Sequence, residues 1–188
     1  MQGQPPLQNP FQHRLRLTNS LEQSKASLQT VLPIASLAAA NPSEPWWHHH
    51  DNPCIGSLVS NASVLAPMRL SINGQADLTA VVIYAGSLNV EQAGRRLSCA
   101  DQGLLILPGA AWSCESSSCS LVILHLQRER LRRVAMAMGE QRSLPEGWRE
   151  CLEPRRPWQP DDSSASQALL SSLRDCLLYT SPSPRDRG

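Results

Sequence analysis

The chain has 188 residues, of which 41% are hydrophobic, and its formal net charge is +1. That length accommodates one ordinary domain with a substantial core, plus accessory segments. Because the net charge is close to zero, the chain is not expected to bind nucleic acid through an overall positive charge. No apolar run is long enough to span a membrane, so no membrane partner is expected.

The cysteines indicate a reduced compartment. There are six of them: Cys54, Cys99, Cys114, Cys119, Cys151 and Cys176. None has the C-x-x-C spacing, and disulfide frameworks are typical of shorter secreted chains. The apolar run 31–40 does not indicate export, because about thirty residues that include Glu22 precede it, whereas a secretory signal starts with a short basic segment. We therefore expect free, mostly buried thiols in a cytoplasmic protein.

The first 53 residues are predicted to be an N-terminal extension with one helix and one loop. The helix is predicted within 14–40, with Asn19 or Ser20 as its N-cap. Residues 41–53 are predicted to be a loop because of their prolines and asparagines.

The predicted loop contains Trp46 and Trp47, followed by three adjacent histidines and Asp51, and this composition raises the hypothesis of a metal site. Adjacent residues of an extended segment point to opposite sides, so at most two of the four ligand-type side chains converge. A usual zinc site also draws its ligands from two separated places in the chain. We therefore expect an exposed polar loop anchored by the tryptophans, without a metal.

From residue 54 the pattern changes to short apolar runs separated by turn residues, which is typical of antiparallel sandwiches and barrels. The predicted strands cover the runs 55–59, 64–72, 78–85, 88–91, 104–107 and 121–126. The run 78–85 is long and β-branched, as expected for a strand that is buried on both faces. Turns or breaks are predicted at four glycine-containing sites: Asn73-Gly74, Ala93-Gly94-Arg95, Asp101-Gln102-Gly103 and Pro108-Gly109.

After the last strand the apolar period becomes helical, and a helix is predicted over 127–138. Four apolar residues share one of its faces: Leu131, Val134, Ala135 and Met138. The arginines around it form the densest basic patch of the chain, which we interpret as the solvated side of an amphipathic helix. The β-rich unit and this helix together are predicted to form one domain over 54–140.

The segment 141–162 is predicted to be a linker because it is rich in proline. A further helix is predicted to begin within 163–178, and its apolar stripe must pack on the domain or on a second copy. Four leucines form that stripe: Leu169, Leu170, Leu173 and Leu177.

The tail 179–188 has no apolar period and is expected to be disordered. The string LYTSPSPRDR at this end resembles the translated sequencing-adapter fragment found at the ends of some proteins predicted from assembled reads. This resemblance implies that residues from 176 onward are not native and that the natural chain continues differently.

Five short motifs follow one another in the β-rich unit: Tyr84-Ala85-Gly86, Gly94-Arg95-Arg96, Asp101-Gln102-Gly103, Leu104-Leu105-Ile106-Leu107-Pro108-Gly109 and Arg128-Glu129-Arg130-Leu131. In this order they resemble the N-terminal regulatory domain of AraC-family transcriptional regulators, over residues 54–138. The resemblance implies a fold that is mainly β with flanking helices, namely a cupin-like antiparallel β-roll or barrel followed by amphipathic helices.

The same resemblance implies a function. In the family, a small-molecule effector binds the barrel, a helical segment makes a homodimer, and two helix-turn-helix units read DNA. This chain stops where the DNA-binding region would begin, and it contains no basic recognition helix. We therefore expect the effector-sensing and dimerisation part of a regulator, with DNA as a partner only through the missing C-terminal region. The alternative is a stand-alone cupin-like protein that binds small molecules.

An effector site in a barrel needs a few polar side chains among its lining. Tyr84, Trp112 and His125 are the candidates, because each carries a donor or acceptor at the end of a predicted strand. Alternatively, Tyr84 and Trp112 are core aromatic residues with local hydrogen-bond partners.

No enzyme is expected, and neither a cofactor nor a metal. A metal-dependent cupin needs a His-x-His pair with a nearby acid, and only His125 lies on a predicted barrel strand. No G-x-S-x-G elbow and no phosphate-cradling glycine loop occurs either. A cupin enzyme is therefore the least favoured of the three alternatives.

Overall fold

The structure is a computed structural model that describes residues 9–55, 58–139 and 157–159. These ranges contain twelve strands and two helices. In chain order they are β1 Arg16–Thr18, α1 Leu21–Leu28, β2 Ile34–Ala39, β3 His48–Asp51, β4 Cys54–Ile55, β5 Leu58–Leu65, β6 Met68–Ile72, β7 Leu78–Ala85, β8 Leu88–Gln92, β9 Arg95–Cys99, β10 Leu104–Leu107, β11 Trp112–Ser116, β12 Cys119–Leu126 and α2 Arg128–Gly139.

The strands form two antiparallel sheets. The seven-stranded sheet has the order β1-β3-β5-β12-β7-β10, with β4 attached to β5, and the five-stranded sheet has the order β2-β6-β11-β8-β9. Several neighbouring strands in the sheets come from distant parts of the chain, such as β5 and β12. The predicted antiparallel β-roll is therefore confirmed.

The inner faces of the two sheets share one apolar core. Val81 and Ile123 contribute from the seven-stranded sheet, and Leu70, Val90 and Cys114 from the five-stranded sheet. Because side chains alternate along a strand, each of these strands contributes every second residue to the core. The two sheets therefore pack against each other through apolar side chains.

A second apolar cluster covers the outer face of the seven-stranded sheet. Its centre is formed by Val82 and Val122, and Phe11, Leu131 and Trp158 pack over it. The first six residues of β7 are consequently buried on both faces, as predicted for the run 78–85.

Helix α1 is shorter than predicted, although its N-cap is as expected. The side chain of Ser20 accepts a hydrogen bond from the amide of Gln23. The segments on either side of the helix are strands, because β1 pairs with β3 and β2 pairs with β6. Tertiary pairing therefore outweighs the helix propensity of the alanine-rich stretch in β2.

The prediction of an exposed loop over 41–53 is wrong at His48–Asp51, which form strand β3 between β1 and β5. His48 is fully buried, because it has polar partners inside the barrel. The segment 16–51 thus supplies β1 and β3 to the seven-stranded sheet and β2 to the five-stranded sheet.

Most of the predicted turns are present. Ala93 and Gly94 adopt φ angles of 50° and 73°, which is the left-handed conformation that a tight hairpin turn requires. The run 64–72 is divided between β5 and β6, because Pro67 cannot donate a backbone hydrogen bond. Residues 55–59 are divided between β4 and β5.

The predicted helix over 127–138 corresponds to α2. The side chains of Val134, Ala135 and Met138 lie outside the described residues, as do the leucine stripe of 163–178, the tail 179–188 and most of the linker 141–162. The further amphipathic helix therefore stays a prediction. Among the described residues, no helix is long and apolar enough to cross a membrane.

Candidate functional site

The end of the barrel from which α2 leaves gathers several polar side chains. We call it the α2 mouth and define it by Gln75, Asp77, Gln92, Trp112 and His125. These residues come from the loop 73–77, the end of β8, the start of β11 and the end of β12. The α2 mouth therefore joins both sheets to the first turn of α2.

Gln92 lies on the inner face of β8 and is 3% exposed. Its amide nitrogen donates to the carbonyl oxygens of Ala110 at 2.9 Å and Pro108 at 3.4 Å. Both partners can only accept, so they fix which way the amide is turned. The amide oxygen Oε1 has no hydrogen-bond partner among the described residues.

Trp112 lies beside Gln92. The register pairs Ser113 with Glu91, so the next position places Trp112 opposite Gln92 on the inner face. The indole is 5% exposed, and its Nε1 has no hydrogen-bond partner among the described residues. Two neighbouring buried side chains therefore carry a donor and an acceptor that have no hydrogen-bond partner among the described residues, although such groups are normally satisfied.

Asp77 connects the barrel to α2. Its Oδ1 accepts a hydrogen bond from the backbone amide of Arg128 at 3.1 Å, and its Oδ2 lies 3.2 Å from Nε2 of His125. An acceptor at the start of a helix satisfies an otherwise unpaired amide and interacts favourably with the helix dipole. Asp77 thus caps α2 from a distant loop.

The loop 73–77 is fixed in place by the loop 108–111. The amide of Gln75 donates to the carbonyl oxygen of Gly109 at 2.6 Å. A Cβ atom on Gly109 would lie 1.9 Å from the carbonyl oxygen of Gln75, so only glycine fits there. The Pro108-Gly109 pair therefore ends a strand and also permits the close contact of two loops.

Two of the three predicted effector residues, Trp112 and His125, lie at the α2 mouth, whereas Tyr84 does not. Tyr84 packs against the apolar cluster on the outer face of the seven-stranded sheet. His125 pairs with Thr79, which is five residues from Tyr84 along β7, or roughly 17 Å. Gln92 and Asp77 were missed by the sequence argument. A polar residue that continues the inward alternation of Leu88 and Val90 was the available signal for Gln92.

A second buried polar row lies beneath α1. His48 Nε2 is 2.8 Å from Oγ of Ser63, which donates to Oδ1 of Asn61 at 2.5 Å. The amide nitrogen of Asn61 donates to Oγ of Ser27 at 3.0 Å and to Oδ1 of Asn52 at 2.7 Å. This row connects β3 and β5 to α1 and replaces apolar packing along that edge.

The row determines the tautomer of His48. The amide nitrogen of Asn61 also faces the backbone carbonyl of Ser27, which can only accept, so Oδ1 of Asn61 faces Ser63. Ser63 then donates to Asn61 and accepts from His48, which places the imidazole proton on Nε2. The pKa of His48 is lowered from 6.5 to about 3. Burial is the largest cause, and the electrostatic effects of His50 and then His49 act in the same direction.

The described cysteines agree with the expectation of free thiols. Cys99, Cys114 and Cys119 are buried and Cys54 is exposed, and none is in a disulfide. Burial raises the pKa of Cys114 and raises that of Cys119 to about 12. Because the thiolate is the reactive form, these two side chains are poor nucleophiles.

The outer face of the five-stranded sheet carries a shallow groove of about 560 Å³. Its charged residues form exposed ion pairs, Arg69 with Glu115 and Arg96 with Glu91. Within the part of the chain that the structure describes, no group of three or more His, Cys, Asp or Glu residues could hold a metal ion.

No model of a known protein family matches the sequence, and no curated protein matches it either. The fold is similar to that of the AraC-like transcriptional activator CuxR, with a TM-score of 0.62 at 10% identity. The likeness covers 86% of this chain and 59% of CuxR, so the chain spans less than two thirds of that protein. The chain has a cupin-like fold.

Weaker similarities extend to further solved structures, among them a cupin domain. EutQ of Clostridium difficile has a TM-score of 0.38 at 12% identity, over 60% of this chain and 94% of EutQ. The cupin domain of an XRE-family transcriptional regulator from Enterobacter cloacae has a TM-score of 0.34 at 12% identity, over 48% of this chain and 94% of that domain.

Proposed function

We propose that this chain is the effector-sensing and dimerisation part of an AraC-type transcriptional regulator. One observation carries the proposal: the fold likeness to an AraC-like activator extends over 86% of this chain but only 59% of the activator. On this proposal, DNA is bound by a region that this chain does not contain. A small molecule binds the barrel and alters how two subunits present that region.

The α2 mouth supports a sensing role, because it couples the barrel interior to the helix that leaves it. Trp112 and Gln92 offer a donor and an acceptor inside the barrel. Asp77 holds the first turn of α2 at the same end. Allosteric coupling between an effector and such an exit helix is worth about 1–3 kcal/mol in typical regulators.

The experiment that tests the proposal begins with the gene. The reading frame is followed past the codon for Cys176, and the protein that it encodes is purified and footprinted on DNA upstream of its own gene. We expect two helix-turn-helix units in the frame and a protected site in the footprint. A native stop codon close to Cys176 would instead indicate a stand-alone cupin-like binding protein.

Dimerisation is assigned to the leucine stripe Leu169, Leu170, Leu173 and Leu177, on the sequence pattern alone. Replacing Leu170 and Leu173 by Glu should shift the full-length regulator from dimer to monomer, because charge on an apolar stripe opposes burial. Sedimentation velocity measures the change, and Gln167→Glu serves as the matched control. A dimer that survives the double substitution would place the interface elsewhere.

A further inference from the structure

Gln92 occupies a position between two parts of the α2 mouth. Its amide nitrogen holds the loop 108–111, while its amide oxygen, like the indole N–H of the neighbouring Trp112, has no hydrogen-bond partner among the described residues. Resting on the proposed function, we infer that Gln92 and Trp112 bind a neutral polar group of the effector. We further infer that Gln92 transmits this occupancy to α2.

The chemistry of the two free atoms defines the ligand group. The indole N–H needs an acceptor and the amide oxygen needs a donor, so a primary amide or a hydroxyl group satisfies both. Gln92 and Trp112 are uncharged and at least 95% buried. Neither side chain supplies a counter-charge for a charged ligand group that loses its hydration here, so this pair favours neutral groups.

The path from Gln92 to α2 is a continuous series of contacts. Gln92 holds the carbonyl groups of Pro108 and Ala110, which flank Gly109. Gly109 accepts from the amide of Gln75. Two residues later, Asp77 accepts from the amide of Arg128 at the start of α2.

At the centre of this path, the loops 73–77 and 108–111 are tightly packed. A Cβ atom on Gly109 would overlap Gln75, so the two loops are in direct backbone contact. A ligand that draws the Gln92 amide toward Trp112 weakens its hold on the loop 108–111. The loop 73–77 then shifts with its neighbour, and Asp77 changes its distance from the amide of Arg128.

The first test uses hydrogen exchange on this chain. In Gln92→Glu, a carboxylate oxygen takes the place of the amide nitrogen that donates to Pro108 and Ala110. The side chain keeps its size and shape but loses both hydrogen bonds to the loop 108–111. We expect the amides of Gln75 and Arg128 to exchange about tenfold faster, since one to two net hydrogen bonds are lost. The amides of Ala62 and Val122, in the centre of the seven-stranded sheet, should keep their wild-type rates.

Asn89→Asp is the matched control, because it makes the same amide-to-acid change on the same strand at an exposed outer position. If Gln92→Glu does not fold, Gln92→Met removes the same hydrogen bonds without adding charge. Equal acceleration of all four amides, or unchanged exchange at Arg128, would overturn the path to α2.

The second test uses acetamide as the probe, because it carries one acceptor and one donor group. We expect the indole N–H resonance of Trp112 to shift and saturate at roughly millimolar concentration, in keeping with so small a ligand. Bound acetamide should also accelerate exchange at Arg128 in the wild type. In Trp112→Phe the acceleration by acetamide at Arg128 should vanish, while exchange without acetamide stays as in the wild type.

Acetate and N,N-dimethylacetamide are the ligand controls, since the first is charged and the second has no donor. An acetate shift equal to that of acetamide, or no acetamide shift, would overturn the ligand assignment. Both tests read this chain without DNA. They therefore succeed or fail independently of the footprint that tests the proposed function.

Discussion

At the scale of single residues, the buried polar row around His48 makes the stability of the folded protein depend on pH. The protein becomes less stable as the solution becomes more acidic. The folded state keeps the imidazole neutral, with a pKa of about 3, whereas the unfolded chain protonates it near 6.5. Below pH 6.5 the unfolded state therefore binds more protons, and the stability falls as the pH falls toward 3.

We expect the wild type to lose about 2 kcal/mol of unfolding free energy through His48 between pH 7.5 and pH 5, from the 1.36 kcal/mol per pH unit of linkage. His48→Gln can still donate to Ser63 but does not titrate, so its loss over this interval should be smaller by that amount. Urea unfolding at the two pH values measures the difference. His13→Gln, at an exposed position, should behave like the wild type, and equal losses in all three proteins would contradict the burial of a neutral His48.

Gly109 is a second residue whose identity the structure explains. Gly109→Ala should destabilise the protein by about 3 kcal/mol, because its Cβ would lie 1.9 Å from the carbonyl oxygen of Gln75. Gly74→Ala is the matched comparison in the same contact, since its Cβ would lie 3.2 Å from the nearest atom. Chemical denaturation should show the larger loss for Gly109→Ala, and similar losses for both would contradict the close contact of the loops.

At the scale of elements, the sequence predicted strands well where apolar residues repeat and poorly where polar residues point inward. The run 78–85 was recognised because both faces of β7 are apolar. Strand β3 was missed because the polar His48 faces the interior, and its hydrogen-bond partner Ser63 lies elsewhere in the chain. The same holds for the candidate site. Trp112 could be proposed from the sequence because its indole is a hydrogen-bond donor, whereas the role of Asp77 depends on its contact with the distant Arg128.

Helix α1 depends on its cap more than a longer helix does, since it has only eight residues. Ser20→Ala should cost about 1 kcal/mol, because the amide of Gln23 loses its acceptor. Thermal or urea unfolding measures the loss. Ser36→Ala, at an exposed position on β2, is the control that should change little, and an equal effect of the two substitutions would contradict the capping role.

At the scale of the whole molecule, the residues from 9 onward that precede the barrel strands form a single structure with the barrel. The inner core joins the two sheets, and the outer cluster joins the seven-stranded sheet to segments from both ends of the described chain. Trp158 adds to this by exchanging two backbone hydrogen bonds of 2.8 Å with Ile106 at the edge of β10. Sequence patterns along the chain could not reveal this arrangement, because the covering residues are isolated aromatic residues in proline-rich stretches.

Phe11 tests whether this covering layer belongs to the cooperative unit. The side chain is 1% exposed and packs on the outer cluster, so Phe11→Ala should cost about 3–5 kcal/mol, as for other buried phenylalanines. Leu17→Ala removes a side chain that is 56% exposed and should cost far less. Because the cluster is built on strands whose other face forms the inner core, loss of Phe11 should lower the midpoint of one shared unfolding transition, followed by circular dichroism and tryptophan fluorescence. Two separate transitions, or equal costs for the two substitutions, would mean that the N-terminal segment covers the barrel without stabilising it.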